Sequence, residues 1–432
     1  MILVEGLDDS TRFYDHLEYE VKITERDGYS FLGEFSIPPI VDTEGKIFRT
    51  KSDGGVIKIN HKFDSYGLYY IQITALEQKP TVGARTRYQP PSIRRDEVLF
   101  SVFSLENELY GRLPYKGDMH MHTYGSDGEE SPALMAARYR KYGYDYISIT
   151  DHFTMEPSIE AIEIFKSIPT EFRIFPGEEV HIPVGALNTF HIVSFNAKSS
   201  VNKMLEDNYD AIEATVRKRA EELTSETVDK ADAILVAWYE WVHKKINDCG
   251  GIMIYPHPYW EVLKRYNIRE STTREIYKRG LTDVIEIFGG TSPENNRMQA
   301  QLYYKMREEG YRYPIVASSD AHQTVDDKKF LKLWTITFAK GSEDIPEAVR
   351  TGMSVAVEAL GSDKTVYGDL PLVQFAWFLI NEYYPRHEEL CNAAGQAAER
   401  FVLGSKEQKK LIDLLENEVK KYSRDFFKSP TK

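Results

Sequence analysis

Cysteine is nearly absent from this chain: Cys249 and Cys391 are the only two among 432 residues. One bridge is arithmetically possible, but a disulfide framework and a CxxC zinc knuckle are excluded, and two reduced thiols in a cytoplasmic protein are the expectation. Long apolar runs are missing too. The most apolar stretch, Val373 to Ile380 (VQFAWFLI), is too short to span a bilayer. The first residues, MILVEGLDDSTRFYDH, lack the basic start and apolar run of a signal peptide. Positive charge is in deficit, 54 Lys and Arg against 67 Asp and Glu, for a formal net charge of -13. Such a surface repels a polyanion, so long nucleic acid is a disfavoured partner. A small phosphorylated substrate is not excluded, because a bound metal reverses the sign locally. Neither a GxSxG elbow nor a P-loop occurs, and no internal repeat is visible.

What is present reads as a soluble, multidomain α/β protein, with 42% hydrophobic, 28% charged and 12% aromatic residues. From about His16 to Tyr110, the segments LEYEVKIT, YSFLGEFSI, GVIKINHKF, GLYYIQITAL and EVLFSVFSL predict short strands with no helix between them, an antiparallel sandwich. Residues 79–97 read as a long polar loop inside it. From Gly117 onward strand and helix alternate: DMHMHT, SPALMAARYRKYG, YDYISIT, a helix around SIEAIEIFKSI, FRIFPGEEV and FHIVSF. The alternation continues through a long helical stretch from about Val201 to Asp248, GIMIYPHP, TDVIEIFGG, a helix from about Pro293 to Glu309, and YPIVASSDAH. This order predicts parallel strands, most simply a barrel. The expected organisation is a β-sandwich-like domain at 1–112, a metal-dependent barrel at 113–360 with a helical insertion at about 200–248, and a helical extension at 361–432. The amphipathic KEQKKLIDLLENEVKKYSRDFF at its end suits packing or dimer formation.

Histidine is scarce, 11 residues, yet His120, His122, His152, His191, His257 and His322 all fall in or just after predicted strands of the second domain. Catalytic groups of parallel barrels gather where strands end. His120 and His122 have the spacing that points two strand side chains the same way, and Asp320 and His322 repeat it with a carboxylate and an imidazole. Paired imidazoles suit zinc, manganese or iron.

Taken in order, HMHTYGSDG, ITDH, PGEEV, FHIV, YPHP and SSDAH resemble the motifs of the PHP (polymerase and histidinol phosphatase) superfamily, over about Tyr115 to Ala339. The β domain ahead of Gly117-Asp118-Met119-His120-Met121-His122-Thr123 resembles the branch named for carbaryl hydrolase. The resemblance implies a distorted seven-stranded (β/α)7 barrel with two or three divalent metal ions. It implies that His120, His122, Glu179 and Asp320 bind one metal and that Glu179 bridges to a second held by His191 and His257. Asp127, His152 and His322 would hold a third, with Asp127 standing where some relatives carry histidine. The expected function is hydrolysis of small phosphate esters or nucleotides by a metal-bridging hydroxide, with Asp320, His322, Glu179 and His181 at the reacting centre. Two cations sharing a carboxylate lie about 3.5–4 Å apart, where a bridging water loses its proton near neutral pH. Hydrolysis of a carboxylic or carbamic ester or amide at the same centre, and a metal-stabilised binding module without turnover, are the alternatives.

Strand alternation turns Glu179 and His181 to one face and Glu178 to the other, where a basic partner is expected. Arg297, in the helix after GGTSPENN, is a candidate phosphate contact. Trp238, Tyr239 and Trp241 read as core, and His16, His61, His243 and His387 match no motif.

Overall fold

The computed structural model describes residues 2–5, 13–26, 45–76, 97–184, 188–225, 228–325, 329–361 and 363–427. They divide into two units, one within Met1–Tyr110 and one at Gly111–Phe427.

In the first unit, alternation decides which face is buried. An antiparallel sheet runs in the order Lys46–Lys51, Glu18–Glu25, Gly67–Ala75, Glu97–Ser104. Tyr19, Val21 and Ile23 point to the same side as Tyr69, Ile71 and Ile73, and share a core with Ile57 and Ile59 of a second ladder, Ile2–Glu5 with Val56–Ile59. The edge strand Lys46–Lys51 (KIFRTK) is not among the segments expected from sequence. Its charged, mostly exposed residues suit a solvent-facing edge and mask its strand character. The predicted strand YSFLGEFSI, and the predicted loop apart from Glu97, lie outside the described residues.

The second unit is mixed α/β. One sheet runs Gly177–Val184, Asn188–Phe195, Ile252–Tyr255, Val284–Phe288, Ile315–Ala317. The other runs Thr365–Tyr367, Ser354–Glu358, Leu333–Ala339, Leu113–Asp118, Tyr146–Ser148, Arg173–Phe175. Among the described residues these ladders form two separate sheets, and the closed barrel expected from sequence is not found. Antiparallel pairs interrupt the parallel order: Gly177–Val184 with Asn188–Phe195, the latter with Ile252–Tyr255, and Leu333–Ala339 with both its neighbours. Only three residues separate Val184 from Asn188, far short of the dozen or so that a parallel crossover needs, so those two strands turn back on each other.

Alternation along these strands also separates two cores. Val193, Ile254, Val284 and Val316 meet on the inner side of the sheet. Val180, Ile182, Met253 and Ile285 point outward and pack with Trp238 and Tyr239 of the helix Lys230–Asp248. The long helical stretch is in fact two helices, Val201–Ser225 and Lys230–Asp248, the second started by Asp229, whose carboxylate accepts from the amide of Ala231. Cys249 and Cys391 are both free, and no helix among the described residues is long and apolar enough to cross a membrane.

The C-terminal helices Leu370–Glu382, Tyr384–Val402 and Lys409–Phe426 belong to this second unit. Gly395 makes the closest approach possible: a Cβ there would stand 2.2 Å from the backbone of Lys141 in the helix Pro132–Lys141. Arg140 of that helix is buried and donates through Nε and Nη2 to the two carboxylate oxygens of Glu416, at 2.9 and 2.7 Å. Asp145 accepts from Arg140 at 3.2 Å and lies 2.9 Å from Nε2 of His387. Removing one partner of a buried ion pair strands the other charge. Glu416→Ala is therefore expected to lower unfolding free energy by about 3–5 kcal/mol, read as a fall in the urea midpoint. An unchanged midpoint would show that the clamp contributes no net stability.

Candidate metal centre

The strand ends that carry the motifs are joined by one continuous run of backbone hydrogen bonds. Asp320 N donates to His120 O and His122 N to Ala321 O; Thr150 N donates to Met121 O, and Glu179 N to Thr150 O. Isolated bridges accordingly pair Met121 with Ala321 and His152 with Glu179. This rim brings His120, His122, His152, Asp320 and His322 to Glu179 from three stretches of chain. On the next strand His191 lies directly opposite His181 in register, so both point to the same face as Glu179. His257 arrives from the loop after Ile252–Tyr255.

Glu179 is fully buried, and its two oxygens face different sets of imidazoles. Oε1 lies 3.1 Å from His191 Nδ1, 3.4 Å from His120 Nε2 and 3.5 Å from His257 Nε2. Oε2 lies 2.7 Å from His152 Nδ1 and 3.5 Å from both His122 Nε2 and His181 Nε2. Asp320 Oδ1 stands between the halves, 3.0 Å from His122 Nε2 and 3.4 Å from His120 Nε2. Asp127 approaches His152 Nε2 at 3.4 Å and His322 Nε2 at 3.3 Å. Despite these distances, His120 Nε2, both nitrogens of His122, His152 Nδ1, His181 Nε2 and both oxygens of Glu179 are buried without a properly directed hydrogen bond. Buried polar atoms are otherwise almost always paired. Nitrogens and carboxylate oxygens that converge on common points without donating to one another are what divalent cations require. The residues therefore fit the metal ions implied by the motifs.

The grouping differs in detail from the simple division expected from sequence. His257 joins His120 and Asp320 as well as Glu179 and His191, and His122 joins Asp127, His152 and His322. His181 enters a group with His152 and Glu179.

Charge in the cluster is balanced internally. Burial raises the Glu179 carboxyl, but His191 and His120 outweigh it and hold it well below the usual carboxylate range. Burial likewise opposes ionisation of Asp320, and His120 with His122 reverses that. Hydrogen bonding from His152 and then His322 holds Asp127 low. Burial works against a charged His152, yet Asp127 and Glu179 lift it to about 10. Burial pushes His181 down to about 4 and also lowers His122 and His191, leaving neutral lone-pair donors. A metal ion must displace the protons the carboxylates now attract, so uptake releases protons and strengthens as pH rises.

Other residues fix these ligands. Glu286, fully buried in the apolar strand Val284–Phe288, lies 3.0 Å from His120 Nδ1 and accepts from the amide of His257 at 3.1 Å. A carboxylate behind a ligating imidazole sets its orientation and raises its basicity. Sequence reasoning missed Glu286, although a lone acid in VIEIF was a usable signal. Asp118 accepts from the amides of His120 and Ser319 and from Tyr139, tying the first motif to the last. Asp151 accepts from the amide of Thr123 and the hydroxyls of Thr123 and Ser126, ordering the loop that presents Asp127. His257 and Asp320 adopt positive φ, 26° and 52°, as does Phe153 beside His152 at 63°. Non-glycine residues held there are strained, and three of the seven such residues among those described lie at the cluster. Gly290 permits it locally, since a Cβ there would lie 2.3 Å from that of Asp320.

Glu178 points away from the cluster, but no base meets it. Its carboxylate accepts from Ser200 Oγ at 2.6 Å, Asn202 Nδ2 at 3.0 Å and the amide of Val201, at the start of the helix Val201–Ser225. A helix N-terminus supplies the positive end that a cation was expected to supply. Arg297 is exposed on the helix Pro293–Glu308 and its charge acts on Glu358; among the described residues no hydrogen bond joins it to the cluster. His243 pairs with Asp283 and His387 with Asp145, both away from the site.

The two adjacent glutamates give a direct test. Glu179→Gln removes charge from the centre of the cluster and is expected to lower bound metal below half of its wild-type content. Glu178→Gln is expected to keep the metal and to cost about 1–3 kcal/mol of stability. Elemental analysis and urea unfolding of both variants check this, and the reverse pattern would contradict the assignment.

No protein-family model matches the chain. Over 112 residues it is 33% identical to the DNA polymerase/3'-5' exonuclease PolX of Bacillus subtilis (strain 168), covering 23% of this chain and 20% of that protein. The chain thus spans about a fifth of the length of the curated relative it matches. Two solved structures are similar at low identity. A two-domain protein from Bacteroides vulgatus, described as containing a predicted PHP-like metal-dependent phosphoesterase, is 18% identical with a TM-score of 0.39, over 63% of this chain and 69% of that one. An amidohydrolase from Chromobacterium violaceum, with bound sulfate and no metal, is 18% identical with a TM-score of 0.33, over 49% of this chain and 89% of that one. At such TM-scores the site stands on its own geometry. The ordered motifs of the sequence are folded onto one rim around a shared carboxylate, Glu179.

Proposed function

We propose that this chain is a metal-dependent hydrolase of small phosphate esters, monoesters or nucleotide-type diesters, using two or three divalent ions of zinc, manganese or iron. The observation that carries the reading is the division of Glu179, each of whose oxygens faces its own trio of imidazoles with no hydrogen-bond partner. His120, His191 and His257 would share one ion with Oε1, and His122, His152 and Asp320 would serve a second with Oε2. Asp127, His152 and His322 are the candidate ligands of a third. When bound, such ions supply Lewis acidity and lower the pKa of water enough to furnish a nucleophile near neutral pH.

The chain's own residues do the rest. Glu179 holds the two halves of the cluster at a fixed separation, and Glu286 fixes the ring of His120. Glu179 is sealed from solvent, whereas the side chains of Asp127 and His322 are 54% and 34% exposed, so the cluster opens to solvent on their side. His181, whose Nε2 lies 3.5 Å from Glu179 Oε2, would serve beside His152 as a neutral donor. The negative charge of the whole chain selects against long polyanions and favours small substrates. The β unit fits the branch named for carbaryl hydrolase, which makes the scissile bond the point to test.

The purified protein is expected to carry at least two divalent ions per chain and to hydrolyse aryl phosphate or bis-aryl phosphate. Chelation should abolish turnover, metal should restore it, and inorganic phosphate should inhibit competitively. Turnover of aryl acetate alone would overturn the phosphate assignment. Full activity in metal-free protein would overturn the metal-dependent one.

A further inference from the structure

Immediately after His257 the chain makes a short hairpin, Glu261–Val262 paired with Arg265–Tyr266, which the sequence reading did not anticipate. Leu263 and Lys264 form its two-residue turn with φ of 50° and 64°, the conformation that suits a tight hairpin. The hairpin is fixed at its base. Trp260 N donates to His257 O at 2.8 Å, Asn267 N donates to Trp260 O at 2.8 Å, and Asn295 Nδ2 donates to Glu261 Oε1 at 3.2 Å. Its tip is open: Leu263 is 92% exposed, and Val262 and Tyr266 are exposed as well.

At the root stands Trp260. Its ring centroid lies 4.9 Å from that of His191 and 5.8 Å from that of His257, both in the cluster around Glu179 Oε1. Unlike Tyr239 and Tyr255, which line the same pocket and are fully buried, Trp260 keeps part of its indole open. Trp260 is thus a partly exposed aromatic side chain in contact with two candidate metal ligands. On the hairpin, Lys264 and Arg265 line a separate open pocket with Glu261, Arg269 and Glu270, and carry no ion pair or side-chain hydrogen bond among the described residues. Two cations without a committed partner on the hairpin that follows His257, in a chain of net charge -13, favour an anionic ligand there.

We infer that Trp260 and the hairpin 261–266 form the substrate-selecting wall of the metal centre, with Trp260 stacking on a planar aromatic group of the substrate and Lys264 and Arg265 drawing the anion in. This rests on the hydrolase reading above and narrows its substrates to esters bearing an aryl or heteroaryl group. Trp260 selects and positions; it takes no part in bond making.

Phenylphosphonate and cyclohexylphosphonate have like size and charge but differ in planarity, and neither is hydrolysed. Calorimetric titration of the metal-loaded full chain is expected to give about two- to tenfold tighter binding of the phenyl compound. Trp260→Leu should bring that ratio to about one, with metal content and inorganic phosphate affinity unchanged, while Trp260→Phe should keep most of it. The double variant Lys264→Ala with Arg265→Ala should weaken phenylphosphonate severalfold at low salt, with the difference fading at high salt. Equal affinity for the two phosphonates, a ratio that survives Trp260→Leu, or loss of metal in that variant would overturn the selecting role alone. Failure of every phosphonate and of inorganic phosphate to bind would overturn the phosphate reading together with it.

Discussion

A carboxylate buried without a single properly directed hydrogen bond governs this structure. Isolated in a low-dielectric interior, an ionised Glu179 would be penalised far beyond what a marginally stable domain tolerates. Six imidazoles around its two oxygens are the local answer, and divalent cations among them are a better one, because each places positive charge directly between nitrogen and oxygen donors. The neighbouring architecture follows from holding those donors in position. Asp118 ties His120 to Ser319, Asp151 pins the loop after His122, and Glu286 holds both the ring of His120 and the amide of His257. Each is itself a buried carboxylate satisfied by amides, hydroxyls or an imidazole, so the cluster sits in a second layer of acids that are paired where Glu179 is not.

Strand alternation explains why this layer can coexist with a well-packed core. The face of Gly177–Val184 that carries Glu179 and His181 looks inward, while Val180 and Ile182 face the helices and Glu178 receives the start of Val201–Ser225. One residue of register separates a metal ligand from a helix-capping group, so a slip by one would exchange the two roles and destroy both. The antiparallel pairing with Asn188–Phe195, opposing His181 to His191, guards against such a slip.

What could be read from sequence followed from this geometry. HMH, TDH and SDAH were legible because ligands supplied by strand ends keep short, regular spacings, and PGEEV because alternation distinguishes adjacent glutamates. Glu286 was visible only as a lone acid in the apolar run VIEIF, a signal that marks a buried carboxylate without naming its partner. The cap on Glu178 was hidden because its donors lie more than twenty residues away: the start of that helix near Val201 was legible, its contact with Glu178 was not. Closure of the barrel was over-read: alternating strand and helix imply parallel pairing, but the three residues between Val184 and Asn188, and the return of Leu333–Ala339 against Leu113–Asp118, impose antiparallel ladders. The hairpin after Trp260 was lost for a related reason, since paired strands of two residues leave no period to detect.

The helical extension is coupled to the centre through ordinary ion pairs. The loop carrying His322 continues to Thr324, whose amide and hydroxyl both donate to Glu130. Glu130 in turn pairs at 2.6 Å with Arg138, and Arg138 reaches Glu399 in the helix Tyr384–Val402 at 3.1 Å. His322 is thus two residues from a chain of contacts ending on the C-terminal helices, on the side where the cluster opens to solvent. An active site needs its exposed edge to be as rigid as its buried one, yet exposed loops lack a core to rigidify them. Packing the C-terminal helices against Pro132–Lys141, with Gly395 allowing close contact, supplies that missing core from outside the sheet.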